Sequence, residues 1–170
     1  MGDTEGVSVS QPRVVVRDDP HAFRIRAARR GDARGVSKLI EDMGYPHGTD
    51  AVTVHWMVSH PETEIFIAAD PGDRPIGLVL LTHRPSLRAG GRIAMIDELV
   101  VTPAWRMRGV GKALLEHAMD RARTLSVRRL DYCHAEELGD VPRAFLESCG
   151  MSPTDGAIYR VRDLDFCDTK

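Results

Sequence analysis

Between an apolar run ending at Val101 and an amphipathic run from Lys112 to Leu125 stands Arg106-Met107-Arg108-Gly109-Val110-Gly111. The order predicts a strand, a tight turn and a helix start. Two glycines two positions apart remove the Cβ atoms that would hold a ligand off the backbone. The first turn of the following helix presents unpaired N–H groups and the positive end of its dipole. Together these make an anion site suited to phosphate. Cations at a helix start oppose the dipole, so Arg106 and Arg108 make more sense beside a bound anion.

Spacing separates three kinds of phosphate loop. A Walker A loop needs a glycine five residues before Gly111 and a Ser or Thr after Lys112, where this chain has Arg106 and Ala113. A dinucleotide fingerprint needs a third glycine at 114, where Leu114 stands, and an early strand with an acidic residue about twenty positions on. What remains is R-x-x-G-x-G after an apolar strand.

The rest of the chain sets this loop in a mixed α/β pattern. Residues 1–21 combine Gly, Ser, Thr, Asp and Pro without periodicity and are expected to be a flexible tail. Phe23, Ile25 and Ala27 alternate with Arg24 and Arg26 as a half-buried strand does, and Asp32 is placed to cap a helix with Val36, Leu39, Ile40 and Met43 inward and Gly44 at its end. A second helix starts near Asp50 and stops before Pro61. Strands Glu64–Ala69 and Ile76–Thr82 flank a Pro-Gly turn, and a loop from Pro85 to Arg92 leads into the strand Ile93–Val101. After the long helix come a strand from Arg129 to His134, a short helix from Val141 to Ser148 and a last strand from Ala157 to Val161.

Length and composition narrow the classes further. The chain has 170 residues, enough for one domain with a core, expected over 22–165 with a short tail at 166–170. A net charge of −2 argues against bulk attraction to nucleic acid or anionic lipid, so neither is an expected partner. No run approaches the roughly twenty apolar residues of a membrane span, and no secretory h-region opens the chain; the expected location is cytoplasmic. Cys133, Cys149 and Cys167 are odd in number and lack C-x-x-C spacing, so neither a disulfide framework nor a metal site is expected.

The loop resembles the acetyl-coenzyme A pyrophosphate loop of the GNAT superfamily of N-acetyltransferases. Ile96-Asp97-Glu98-Leu99-Val100-Val101-Thr102-Pro103 resembles the family's fourth strand with its proline exit, and Ala144–Met151 its late helix and glycine turn. The resemblance implies a twisted, mostly antiparallel sheet, split between its fourth and fifth strands and flanked by helices. It implies acetyl-CoA as cosubstrate, held by Arg106, Met107, Arg108, Gly109, Val110, Gly111 and Lys112 at the pyrophosphate and by Leu99, Val100 and Val101 along the pantetheine arm. An N–H near Val100 or Val101 would receive the carbonyl oxygen. The family often has Tyr where Leu146 stands, so the usual acid is absent; Tyr132, His134, Cys149 or water could protonate the thiolate instead.

The reaction so implied is attack of an amine on a thioester. An alkylamine of pKa about 10.4 is neutral about once in a few thousand molecules at pH 7, so a base is needed. Asp97 and Glu98 lie where several family members carry one. Strand alternation puts them on opposite faces unless a bulge intervenes, and one near Leu99 is common in the family. Tyr45, His47, His83 and His134 are candidate substrate contacts. The expected acceptor is a small-molecule primary amine, with a protein N-terminus or lysine, or a non-catalytic acyl-CoA-binding role, as alternatives. A homodimer through Ile158, Tyr159 and Val161 is expected, because small open sheets leave an edge to cover.

Overall fold

The computed structural model describes residues 22–42, 49–132 and 142–154. They form β1 (Arg24–Ala27), α1 (Ala33–Glu41), α2 (Ala51–Ser59), β2 (Thr63–Ala69), β3 (Pro75–Ser86), β4 (Gly91–Val101), α3 (Val110–Thr124), β5 (Arg129–Tyr132) and α4 (Arg143–Ser148). Single 3-10 turns occupy Arg30–Asp32 and Pro103–Trp105. The expected N-terminal tail, the end of the first helix at Gly44, the final strand with its dimer residues and the last residues lie outside the described segments.

One sheet runs in the order β1-β2-β3-β4-β5. β1 to β4 pair antiparallel in succession, β1 and β2 across the intervening α1 and α2, whereas β5 follows the α3 crossover and pairs parallel to β4. This is the mixed, mostly antiparallel sheet expected from the sequence. Apolar residues on both parities of β2 are explained by helices on both faces. Ile65 and Ile67 join Leu78, Leu80 and Val100 under α1 and α2, while Phe66 and Ala68 join Val79, Leu81, Ile96 and Leu99 under α3.

The long helix owes its place to its apolar stripe. Val110, Leu114, Leu115, Ala118 and Ala122 are buried, and truncating either leucine to alanine costs about 2–5 kcal/mol at such sites. Gly77 lets this helix approach: a Cβ there would lie 2.7 Å from the Val100 carbonyl oxygen and 3.2 Å from Leu114 Cδ1. Glycine is needed at that point for packing.

Two local expectations change. β3 continues to Ser86 and β4 begins at Gly91, so the loop expected from Pro85 to Arg92 is instead a hairpin with its tip at residues 87–90. Pro85 is tolerated because the odd residues of β3 direct their N–H groups toward β2, as His83 does to Glu62 O at 2.9 Å, and β2 has already ended at Thr63. Asp32 precedes α1 as expected but makes no side-chain cap bond. Its carboxylate instead takes two bonds from Arg26, at 2.7 and 2.8 Å, and one from the Arg29 N–H at 2.7 Å. Asp50 does cap α2, accepting from the Thr53 N–H at 2.7 Å.

Candidate active site

β4 and β5 pair from Ile93↔Arg129 to Ile96↔Tyr132. Tyr132 is the last described residue of β5, and its partner Ile96 directly precedes Asp97 on β4. At the same point the β3–β4 register shifts. Leu81 faces Ile96, but Leu80 faces Glu98, leaving Asp97 as an extra residue on β4. The bulge stands two residues before the expected position near Leu99.

The bulge decides where the two carboxylates point. Glu98 lies opposite Leu80 and therefore shares the α1–α2 face. Thr82, two residues along β3 from Leu80, is on that face too. Its hydroxyl donates to Asp97 Oδ2 at 2.6 Å, so the Asp97 side chain has swung to the same side. Alternation alone predicted opposite faces; the inserted residue brings both acids to one. Burial pushes the Asp97 carboxyl above its ordinary pKa, and the Thr82 bond draws it partly back. A half-buried carboxylate with a raised pKa is a group that can take a proton.

Beyond the bulge, the backbone of β4 alternates between β3 and the side away from it. The Thr102 N–H donates to Ile76 O at 2.9 Å, which makes Thr102, Val100 and Glu98 the residues bonded to β3. Leu99 and Val101 therefore direct their N–H and C=O groups toward the β5 side. Of the backbone donors expected near Val100 or Val101, the Val101 N–H faces away from β3 and the Val100 N–H faces β3. Val100 is buried in the sheet core and Val101 is partly buried.

The loop follows directly. Met107 and Gly109 both adopt positive φ, 58° and 80°, which folds Arg106–Gly109 into a tight turn before Val110 enters α3. Met107 is fully exposed, and a Cβ on Gly109 would meet nothing within 4 Å; the glycine answers to its φ rather than to crowding. A Cβ on Gly111 would lie 3.6 Å from Phe145 Cζ and 3.7 Å from Val101 Cγ2, pointing into the angle between β4 and α4. Lys112 is exposed on the first turn and lies 3.8 Å from Glu116. The two arginines are held rather than free. Arg106 Nε donates to the Val101 carbonyl at 3.0 Å, and the Arg108 guanidinium stands 5.4 Å from the centroid of the Trp105 ring.

The remaining candidates scatter. His83 is buried on the α3 face, with Nε2 3.3 Å from Glu64, which also takes two bonds from Arg121. It lies on the opposite side of the sheet from Asp97 and Glu98, because β3 runs on past Thr82 instead of ending there. Tyr132, paired to Ile96 on β4, packs with the α3-side core. Leu146 and Cys149 pack against that same core from α4. Tyr45, His47, Cys133 and His134 lie outside the described residues. Thr82 escaped the sequence reading; its signal is a strand register, which no local pattern carries. No group of three metal-ligating side chains occurs among the described residues, nor does any helix there have the length and apolarity to cross a membrane.

Residues 33–151 match the model of the Acetyltransferase (GNAT) family. No curated protein matches the chain by sequence. Among solved structures, a protein from Agrobacterium tumefaciens str. C58 assigned as an acetyltransferase is 26% identical, with a TM-score of 0.71 over 82% of this chain and 99% of that one. The ribosomal-protein-alanine N-acetyltransferase of Brucella melitensis biovar Abortus 2308 is 22% identical, with a TM-score of 0.69 over 84% and 100%. The glucosamine-6-phosphate N-acetyltransferase of Arabidopsis thaliana is 19% identical, with a TM-score of 0.71 over 84% and 99%. At these last two identities the likeness is one of fold.

Proposed function

The chain belongs to the acetyltransferase (GNAT) family, and on that premise we propose that it transfers an acetyl group from acetyl-CoA to a primary amine, with Asp97 as the base. The observation that carries this reading is the bulge at Asp97. It puts a half-buried carboxylate of raised pKa on β4 just before the stretch whose Leu99 and Val101 amides face away from β3.

The residues present fit acetyl-CoA. The N-terminus of α3 and the turn before it offer backbone N–H groups with no Cβ in the way at Gly109, and Arg106, Arg108 and Lys112 supply positive charge for the pyrophosphate. The outward amides of Leu99 and Val101 suit an extended arm carrying amide groups, as an added strand suits a sheet edge. When bound, acetyl-CoA supplies an electrophilic thioester carbonyl and a thiolate leaving group.

Asp97 Oδ1 has no partner among the described residues and is the oxygen left to accept the ammonium proton, directly or through one water. The neutral nitrogen then forms the C–N bond as the C–S bond breaks, and the second proton it sheds passes to the departing thiolate, directly or through water. The Val101 N–H faces the side on which negative charge would develop on the carbonyl oxygen, and a fixed backbone donor reorganises little. Leu146 brings no acid. A thiol pKa near 8.5 makes the thiolate a tolerable leaving group without one.

A small-molecule amine is the proposed acceptor class, and a homodimer in the cytoplasm the proposed setting. Release of CoA thiol, followed across a panel of polyamines, amino sugars, aminoalkylphosphonates and N-terminal peptides, tests the reaction. Asp97→Asn should lower kcat at pH 7 about 100-fold, a loss that shrinks as pH approaches the amine's own pKa. If Asp97→Asn keeps full turnover at pH 7, the base lies elsewhere; Glu98→Gln is the control on the neighbouring carboxylate.

A further inference from the structure

We propose that Thr82 is the positioning residue of the base: its hydroxyl, 2.6 Å from Asp97 Oδ2, ties the bulged carboxylate to β3 and leaves Oδ1 as the proton-accepting oxygen. The inference rests on Asp97 being the base and adds how that base is aimed.

A bulge frees one residue from the ladder, so the Asp97 side chain is not oriented by cross-strand pairing as its neighbours are. Something else must hold it. Thr82 is well suited, because a β-branched side chain in a strand is stiff about χ1 and presents its hydroxyl in a fixed direction. Its own place is secured from both sides, by pairing to Thr63 on β2 and to Met95 on β4. The geometry also selects which oxygen does the chemistry. Oδ2 accepts from a neutral hydroxyl that keeps its proton, and Oδ1 faces no donor among the described residues.

Among the described residues, burial and the Thr82 hydroxyl are the influences on the Asp97 carboxyl, acting in opposite directions, and no charge there adds to them. Along β4 the adjoining charged group is Glu98. On β3, Arg84 follows Thr82 on the same face but is exposed near the hairpin tip, and on α1, which packs over β3 and β4, Lys38 is paired with Asp42 at 3.3 Å. A hydroxyl is thus the device that keeps a desolvated carboxylate ionisable without locking it in an ion pair.

The test compares Thr82→Val, which keeps the shape and removes the donor, with Thr82→Ser, which keeps the donor. Uniformly folded protein labelled with ¹³C-aspartate is titrated by NMR, the Asp97 carboxyl signal being identified by its loss in Asp97→Asn. At the pH where half of the wild-type Asp97 is ionised, the ionised fraction in Thr82→Val should fall about fivefold, the effect of one hydrogen bond to a charged group, and Thr82→Ser should restore it. In the CoA-thiol assay the acid limb of kcat/KM should move to higher pH in Thr82→Val with KM for acetyl-CoA unchanged. A Thr82→Val titration that overlays the wild type, or a valine variant with an unmoved acid limb, overturns the positioning role while leaving Asp97 as base. Retention of the acid limb in Asp97→Asn overturns the base assignment itself, whatever Thr82→Val does. The titration needs no acceptor, so the two failures stay distinct.

Discussion

Asp32 and Asp97 are both drawn out of water, and the molecule treats them in opposite ways. Asp32, at the start of α1, receives the guanidinium fork of Arg26, whose Nε also donates to Asp73 at 2.8 Å. The Arg26 hydrogen bonds hold the Asp32 carboxyl below its ordinary pKa, and the same contact raises the already high pKa of Arg26. Neither charge changes at any pH a cell reaches. Asp97 meets a hydroxyl instead, and burial raises its pKa. One cluster ties β1 and the β2–β3 turn to α1; the other leaves a carboxylate able to gain and lose a proton. A buried acid with an opposite charge is a fastening, and one with only a neutral donor is a candidate for chemistry.

The largest effect should come from breaking the fastening. Arg26→Met leaves Asp32 buried against one backbone donor, and urea unfolding at pH 7 should show a loss of about 3 kcal/mol. Asp32 has a depressed folded-state pKa, so its contribution is present above the unfolded value of about 3.9 and is lost as pH falls through the folded value. Arg26→Met should therefore flatten the acid side of the stability curve. A variant within about 0.5 kcal/mol of wild type would reduce the cluster to surface decoration and dissolve the comparison.

A smaller effect of opposite sign belongs to Asp97. Its carboxyl is raised in the folded state, so the fold loses stability as pH climbs from the unfolded pKa through the folded one. Asp97→Asn should gain about 1 kcal/mol at pH 7, in the same protein that loses turnover, and the gain should vanish below about pH 4. Thermal melts at pH 4 and pH 7 check this. Destabilisation at both would mean that Asp97 serves the fold as Asp32 does.

The smallest effect concerns a base under the same logic. His117 on α3 is half-buried, its ring set edge-on to Phe66 at 4.6 Å between centroids, and burial lowers its pKa. A histidine depressed in the folded state gives stability that is complete above the unfolded value of about 6.5 and is lost as pH falls below it. His117→Phe should remove that slope between about pH 6.5 and 5 and change stability by under about 1 kcal/mol at pH 7. An unchanged slope would remove His117 as its source.

Most of the fold was legible because its signals are local. The strand–turn–helix around Gly109, the amphipathic run of α3, the helix start near Asp50 and the strand at Glu64–Ala69 each rest on periodicity, φ or short-range signals. The hairpin of β3 and β4 was less so. Pro85 reads as a breaker in isolation, and only the end of β2 one step earlier makes it harmless. Asp32 likewise carries a cap signature, yet a guanidinium from β1 together with the Arg29 N–H takes its oxygens in place of the first turn of α1, since a charge-assisted fork is stronger than a cap bond.

The site divides along the same line. By itself the sequence determined that a glycine turn stands at a helix start behind an apolar strand, and that two adjacent carboxylates lie on that strand, because these are properties of neighbours in the chain. Tertiary structure alone decided that Asp97 and Glu98 share a face, that Thr82 meets Asp97, that Leu99 and Val101 turn their amides away from β3, and that His83 lies across the sheet from the two acids. The first three follow from one residue inserted into the β3–β4 ladder. Strand side chains alternate with a period of two, so a single shift of register reverses every face beyond it, and a register belongs to the pairing of two strands rather than to the residues of either.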